Sequence, residues 1–296
     1  LTVMLMSHIK CITTYPIKSC AGIDLEHCTV LADGLKLDRE WMLIDEEGHF
    51  LSQRQTSELA LVKPRMSSDG KNLIVSAQGM QDHALPDASA TVVTEQRYAV
   101  RLWRDDVRVI DAGAEAAEWF SDFLGVKSRL VRFDKGAERL VDENWTTARA
   151  TTRLTDGFPF LIIGQGSLDD LNSRLASRGV APVEMKRFRP NIVVEGWEPF
   201  EEDYIENISI EFDETELVFR LCKPCTRCVV TTIDQATGKP RTSSPHEPLD
   251  TLSLYRRSPR MEGGIVFGQN AVVSSGEGSE LRVGQEVTAE FAFPDM

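Results

Sequence analysis

The sequence predicts a mainly β fold with a few helices. Short runs of β-branched and aromatic residues recur along most of the chain, and turn-rich segments separate them. Only two stretches hold a clear helical period. Many short strands with few helices point to barrel-like β architecture.

In the first part, Glu40 to Asp45 (EWMLID) reads as a strand, followed by a Glu-Glu-Gly turn and Phe50-Leu51-Ser52. Leu73 to Ala77 and Thr91 to Thr94 continue the pattern, with turn-rich segments at Met66 to Lys71 and Leu85 to Ser89. Ala114 to Leu124 is the first helix, apolar at Ala117, Phe120 and Leu124 and followed by Gly125 as a stop signal. Asp134 to Thr155 is charged and irregular, a long connection in which we place a boundary between residues 1–140 and 141–296. Ser167 to Ala176 is the second helix, with Ser167 as N-cap, Asp170 three residues on, and Leu168, Leu171 and Leu175 on one face. A shorter helix starts at Pro248. Phe160 to Ile163, Asn191 to Glu195, Ile208 to Phe212, Leu217 to Leu221, the stretch after Gly264 and Glu286 to Phe293 read as strands, and Gly276-Glu277-Gly278 as a hairpin turn.

Composition narrows the function. With 33 basic and 46 acidic residues the net charge is -13, which argues against a nucleic-acid partner and against an anionic membrane surface. An anionic ligand would need local basic residues to overcome the global field. No apolar stretch approaches the roughly 20 residues needed to span a bilayer, and six cysteines in 296 residues are too sparse for a disulfide scaffold. The expectation is a cytoplasmic protein with a small-molecule substrate.

The densest chemistry is at Cys222, Cys225 and Cys228. Clustered thiolates are soft ligands, suited to zinc, iron–sulfur or another thiophilic metal. A bacterial iron–sulfur run needs a fourth cysteine shortly afterwards, but none follows Cys228. Spacing alone leaves three readings open: a zinc or iron–sulfur site, ordinary buried cysteines, or a single-thiolate metal or redox site. Val229 to Asp234 reads as a strand and Thr237-Gly238 as a turn, placing Cys228 where a loop meets a strand. The five histidines show no ligand spacing, and Walker-type, G-x-G-x-x-G and G-x-S-x-G motifs are absent.

Several separated segments together resemble one family. They are Tyr15-Pro16-Ile17-Lys18-Ser19-Cys20-Ala21-Gly22, Asp38-Arg39-Glu40-Trp41, Ser52-Gln53-Arg54-Gln55, Phe158 to Ile162, Asp169 to Asn172 and Phe188 to Val193. Cys225-Thr226-Arg227-Cys228 running into Thr231-Thr232-Ile233-Asp234 is the strongest, followed by Glu247-Pro248-Leu249, Tyr255-Arg256 and Phe267 to Asn270. The chain resembles the molybdenum cofactor sulfurase C-terminal (MOSC) domain proteins that carry an N-terminal β-barrel domain, a group that includes the mitochondrial amidoxime-reducing component and its bacterial relatives.

The resemblance implies an N-terminal β-barrel domain plus a MOSC β-barrel domain, with a molybdenum cofactor (pyranopterin dithiolene molybdenum) held between them. It makes Cys228 the metal ligand, places Lys18 and Ser19 on the pterin phosphate, and puts Arg54, Arg189 and Asn191 against the cofactor. Asp156 matches an acidic position nearby, orienting water or relaying a proton. The implied activity is reduction of hydroxylamines and amidoximes. With no cysteine after Cys228, electrons are expected from a separate ferredoxin- or flavin-type donor. The alternative is a cofactor-binding or sulfur-carrier protein using a Cys228 persulfide; a zinc-stabilised binding module is a third reading.

Overall fold

The computed structural model describes residues 7–85, 96–146, 149–212 and 215–292. The strand expected at Thr91 to Thr94 lies outside them. The chain is mainly β, with three α-helices among the described residues: Ala114–Leu124, Gln165–Ser177 and Leu249–Ser253.

The principal sheet runs Ile23–Leu25, His8–Thr14, Ile192–Glu195, Phe160–Gly164, Gly264–Ser275, Glu216–Thr226, Ile205–Glu211 and Thr288–Phe291, with Arg257–Ser258 attached to Gly264–Ser275. The first long strand therefore pairs deep in the sequence, Ile12 opposite Ile192 and Ile9 opposite Val194. The ladder does not close. Its far end nevertheless returns to the start: Gly284 N–H donates to Ile9 O at 2.8 Å, and Val287 N–H to Ser7 O at 2.8 Å.

Alternating apolar residues fill this roll, among them Ile9, Ile12, Val30, Phe160, Ile192 and Phe219. A second core gathers Ile17, Trp41, Leu59, Val75, Trp119 and Phe120 beneath smaller sheets. One of these orders Trp41–Ile44, Arg129–Phe133, Asp105–Asp111 and Arg97–Leu102. The connection from Asp134 to Thr155 holds no helix or strand among its described residues, only a bridge between Leu140 and Thr151.

Local chemistry moves several elements from their expected form. The first helix buries Ala116, Trp119 and Phe120 rather than Ala117 and Leu124, and it ends as expected on Gly125 at φ 67°. The second begins at Gln165, so Ser167 lies in its first turn. Its hydroxyl is drawn to the buried Glu202 at 2.8 Å instead of capping the backbone. Val229–Thr232 is a 3-10 turn, and only Ile233–Asp234 is strand. The Thr231 and Thr232 hydroxyls donate to Cys228 O and Val229 O at 3.0 and 2.7 Å, local bonds that compete with a sheet ladder. The turn at Gly276 to Gly278 joins strands of two different sheets, so it is not a hairpin. Gly276 is required there: at φ 78°, a Cβ would fall 2.6 Å from Glu216 O.

Candidate functional site

The ends of several strands deliver loops to one cleft of about 770 Å³. The loop after His8–Thr14 brings Lys18 and Ser19, and the turn after Leu51 brings Arg54. The end of the long connection brings Asp156, the segment before Ile192–Glu195 brings Arg189 and Asn191, and the end of Glu216–Thr226 brings Cys228. All seven residues singled out in the sequence line this cleft.

The first loop is tightly set. Lys18 N–H donates to Trp41 O at 2.8 Å, Arg39 N–H to Tyr15 O at 2.8 Å, and Tyr15 N–H to Asp38 Oδ1 at 2.8 Å. The two short segments thus fold against one another and aim Lys18 inward. Its ammonium is buried and donates to Leu154 O at 3.0 Å and to Asp156 Oδ1 at 2.5 Å. Burial pushes the Lys18 ammonium down to about 8, against the opposing pull of Asp156. The Asp156 side chain is 67% exposed to the cleft. Desolvation by neighbouring atoms works to raise its pKa, but the Lys18 ammonium, Arg54 and the Trp103 N–H outweigh it and hold the carboxyl well below the usual range.

Cys228 lies beyond the strand end, half-buried. Arg54 Nη2 reaches its Sγ at 3.4 Å, and the same guanidinium lies 4.7 Å from the Trp103 ring centroid. Arg189 sits at φ 57°, donates Nη1 to Cys20 O at 2.7 Å and packs 4.2 Å from the Tyr15 ring centroid. Burial lowers its pKa to about 10. Its Nη2 is buried with no acceptor among the described residues. Asn191 is largely committed to the fold: its Nδ2 donates to Thr13 O, and its Oδ1 accepts from Leu161 N and Arg39 Nη1, each at 3.2 Å. Ser19 holds a positive φ of 69°, and Gln53 Nε2 donates to its carbonyl at 2.6 Å.

The cysteine triplet does not converge. Cys222 packs with Val141, Phe158 and Val272, while Cys225 lines the cleft but packs with the cluster around Phe188 and Phe267. Among the described residues, the one group of three ligand-type side chains within reach of a single ion is Asp45, Glu47 and His49 at the surface. A three-thiolate zinc site is therefore not formed.

Sequence reasoning missed much of the lining. Ten lining residues are Lys or Arg, including Arg101, Arg104, Arg139, Arg187, Lys223 and Arg227, against three Asp. In a chain of net charge -13, this is a local reversal of sign suited to an anionic ligand. Several of these cations are fastened to carbonyls: Arg187 Nη1 to Thr232 O at 2.8 Å, and Arg227 Nη1 to Phe188 O at 2.9 Å. Trp103 was also missed. It stands in the two-residue turn between Arg97–Leu102 and Asp105–Asp111, and a Trp-Arg pair carries none of the usual turn signals.

This is a basic cleft with Cys225 and Cys228 on its wall, the latter in contact with Arg54, fed by loops from several strand ends of a mainly β chain. The MOSC N-terminal beta barrel domain matches residues 6–127, and the MOSC domain matches residues 150–288. The chain belongs to the family of MOSC-domain proteins that carry this N-terminal domain. It is 35% identical over 255 residues to the mitochondrial amidoxime reducing component 2 of Bos taurus, covering 82% of this chain and 70% of that one. Against the mitochondrial amidoxime-reducing component 1 of Mus musculus it is 33% identical over 286 residues, 92% of this chain and 79% of the relative. Against the molybdenum cofactor sulfurase of Oryza sativa subsp. japonica it is 31% identical over 307 residues, 95% of this chain but 35% of that protein.

Proposed function

We propose that the chain binds a pyranopterin dithiolene molybdenum cofactor in this cleft and reduces N-hydroxylated compounds such as hydroxylamines and amidoximes, with electrons from a separate ferredoxin- or flavin-type donor. The observation that carries the reading is the pairing of a strongly basic cleft with one cysteine thiol that a guanidinium contacts. The relatives named as amidoxime reducing components support the substrate class.

The donor set fits such a group. Cys228 offers a soft sulfur ligand, and Arg54 beside it supplies charge and orientation. Lys18, Arg189 and the loop at Ser19 offer cationic and N–H donors for a phosphate. The orphaned Arg189 Nη2 is a buried donor that a ligand acceptor would satisfy. When bound, the cofactor supplies two-electron reduction of an N–O bond at its metal. The protein's part is positional and electrostatic. Arg54 holds the cysteine sulfur in place, and Asp156, kept ionised by Lys18, serves as a hydrogen-bond acceptor for substrate N–H or O–H groups. A carboxyl held so far below its ordinary range is a poor proton donor at neutral pH, so we assign it orientation rather than proton relay. The six free cysteines suit a reducing compartment, which supports placing the protein in the cytoplasm. Among the described residues, no helix is long and apolar enough to cross a membrane.

The test is metal and pterin content of protein made in a cofactor-competent host, wild type beside Cys228→Ser, followed by turnover of amidoximes by chemically reduced protein. The expected result is near-stoichiometric molybdenum that falls sharply in the variant, with turnover in the wild type alone. The sulfur-carrier alternative, favoured by the likeness to the cofactor sulfurase, would instead show a persulfide on Cys228 and no turnover.

A further inference from the structure

The cleft is basic, but its mouth also carries apolar surface. Trp103 and Leu140 line it with 43% and 42% of their surface exposed, so large apolar side chains face solvent beside a polar site. Trp103 is the more unusual, because its backbone is strained for the sake of that position. It holds φ 58° in a two-residue turn where Asn and Gly are preferred. A left-handed backbone on a bulky residue carries a steric cost, and a half-exposed side chain recovers little of it through core packing.

The indole is nevertheless fixed. Its Nε1–H donates to Asp156 Oδ1 at 3.1 Å, the Arg54 guanidinium lies 4.7 Å from its ring centroid, and Phe50 packs at 5.2 Å, tilted by 59°. Asp156 Oδ1 thereby receives both Lys18 and Trp103, while Oδ2 makes no hydrogen bond among the described residues. The result is a rigid aromatic plate next to a carboxylate oxygen that is free to accept.

Resting on the reductase reading above, we infer that Trp103 is a specificity-determining residue. A flat, conjugated substrate lays its apolar body on the indole while its N–H groups face Asp156 Oδ2, so aryl amidoximes and related planar molecules are favoured over their small aliphatic counterparts. An aliphatic molecule with the same head group makes the same hydrogen bond but has nothing to stack.

The test compares ligands that differ only in that body. Benzamidine and acetamidine are titrated by calorimetry into the full-length, cofactor-loaded protein as wild type, Trp103→Asn and Trp103→Leu. Asn suits the positive φ, and Leu keeps apolar bulk without a flat ring; urea midpoints confirm that each variant folds, and either one alone decides the matter. Benzamidine is expected to weaken roughly three- to tenfold, with acetamidine unchanged within about twofold. No change for benzamidine, or equal loss for both ligands, overturns the inference; equal loss would mean that Trp103 acts only by positioning Asp156. The kcat/KM ratio of benzamidoxime to acetamidoxime should fall in parallel. If the wild type reduces neither oxime, the reductase reading fails, while the amidine titration still decides the role of Trp103.

Discussion

Lys18 Nζ lies 2.5 Å from Asp156 Oδ1, and the two partners face different media: the ammonium is buried, and the carboxylate opens onto the cleft. Burial draws the lysine pKa down to about 8 and the aspartate opposes that fall. The charge that Lys18 brings to the cleft is therefore complete below about pH 8 and lost above it, whereas the Asp156 charge persists far into acid.

Anion binding by the cofactor-free protein should accordingly weaken as pH rises through about 8, with no acid limb from Asp156 between pH 5 and 7. In Asp156→Asn the ammonium loses its largest support, so the alkaline limb should move to lower pH. Calorimetric titration of sulfate, a dianion throughout this range, into wild type and variant checks this, and an alkaline limb that stays in place would refute the coupling.

Cys222→Ala should leave molybdenum content and turnover unchanged and cost about 1 kcal/mol or less, since the thiol is a half-buried member of a small apolar cluster. Metal analysis beside a urea denaturation curve measures both. A loss of metal would bring the triplet back as a ligand set.

Glu202 is fully buried, and desolvation raises its carboxyl to about 7 despite the two Ser167 contacts. Because the folded pKa lies above the unfolded value, the stabilisation from its bound proton is complete below about pH 4.5 and lost as pH rises through 7. Glu202→Gln stays neutral throughout. It should be more stable than wild type at pH 8, by on the order of 2–3 kcal/mol, with the gap closing near pH 5. Urea midpoints at the two pH values decide it.

Arg153 is buried between Asp33 Oδ1, at 2.5 Å, and Glu40 Oε1, at 3.4 Å, and Glu40 Oε2 has no hydrogen-bond partner among the described residues. Arg153→Ala strands a buried carboxylate and should cost about 3–5 kcal/mol. The double variant Arg153→Met with Glu40→Leu removes both charges and should recover much of that loss in the same denaturation assay.

The mainly β class, the long helices and most strands were legible because hydrophobic period and turn residues are local signals. The strand reading of Val229 to Thr232 failed because hydroxyl-to-carbonyl bonds in that turn outweigh the β-propensity of Val and Thr. Pairing was not legible: nothing local in His8–Thr14 names Ile192–Glu195 as its neighbour. The site divided in the same way. Family likeness, not spacing, separated Cys228 from Cys222 and Cys225, and the positions of Trp103, Arg101 and Arg104 followed only from where a hairpin tip falls in three dimensions.

That first pairing also sets a timetable. During synthesis, His8–Thr14 leaves the ribosome roughly 180 residues before Ile192–Glu195 exists to receive it, a wait of about 10–40 s at ordinary translation rates. Throughout that interval Ile9 and Ile12, fully buried in the finished protein, belong to a strand with one open edge. The nascent chain is thus open to mispairing at this strand, and slower elongation before residue 192 would lengthen that exposure.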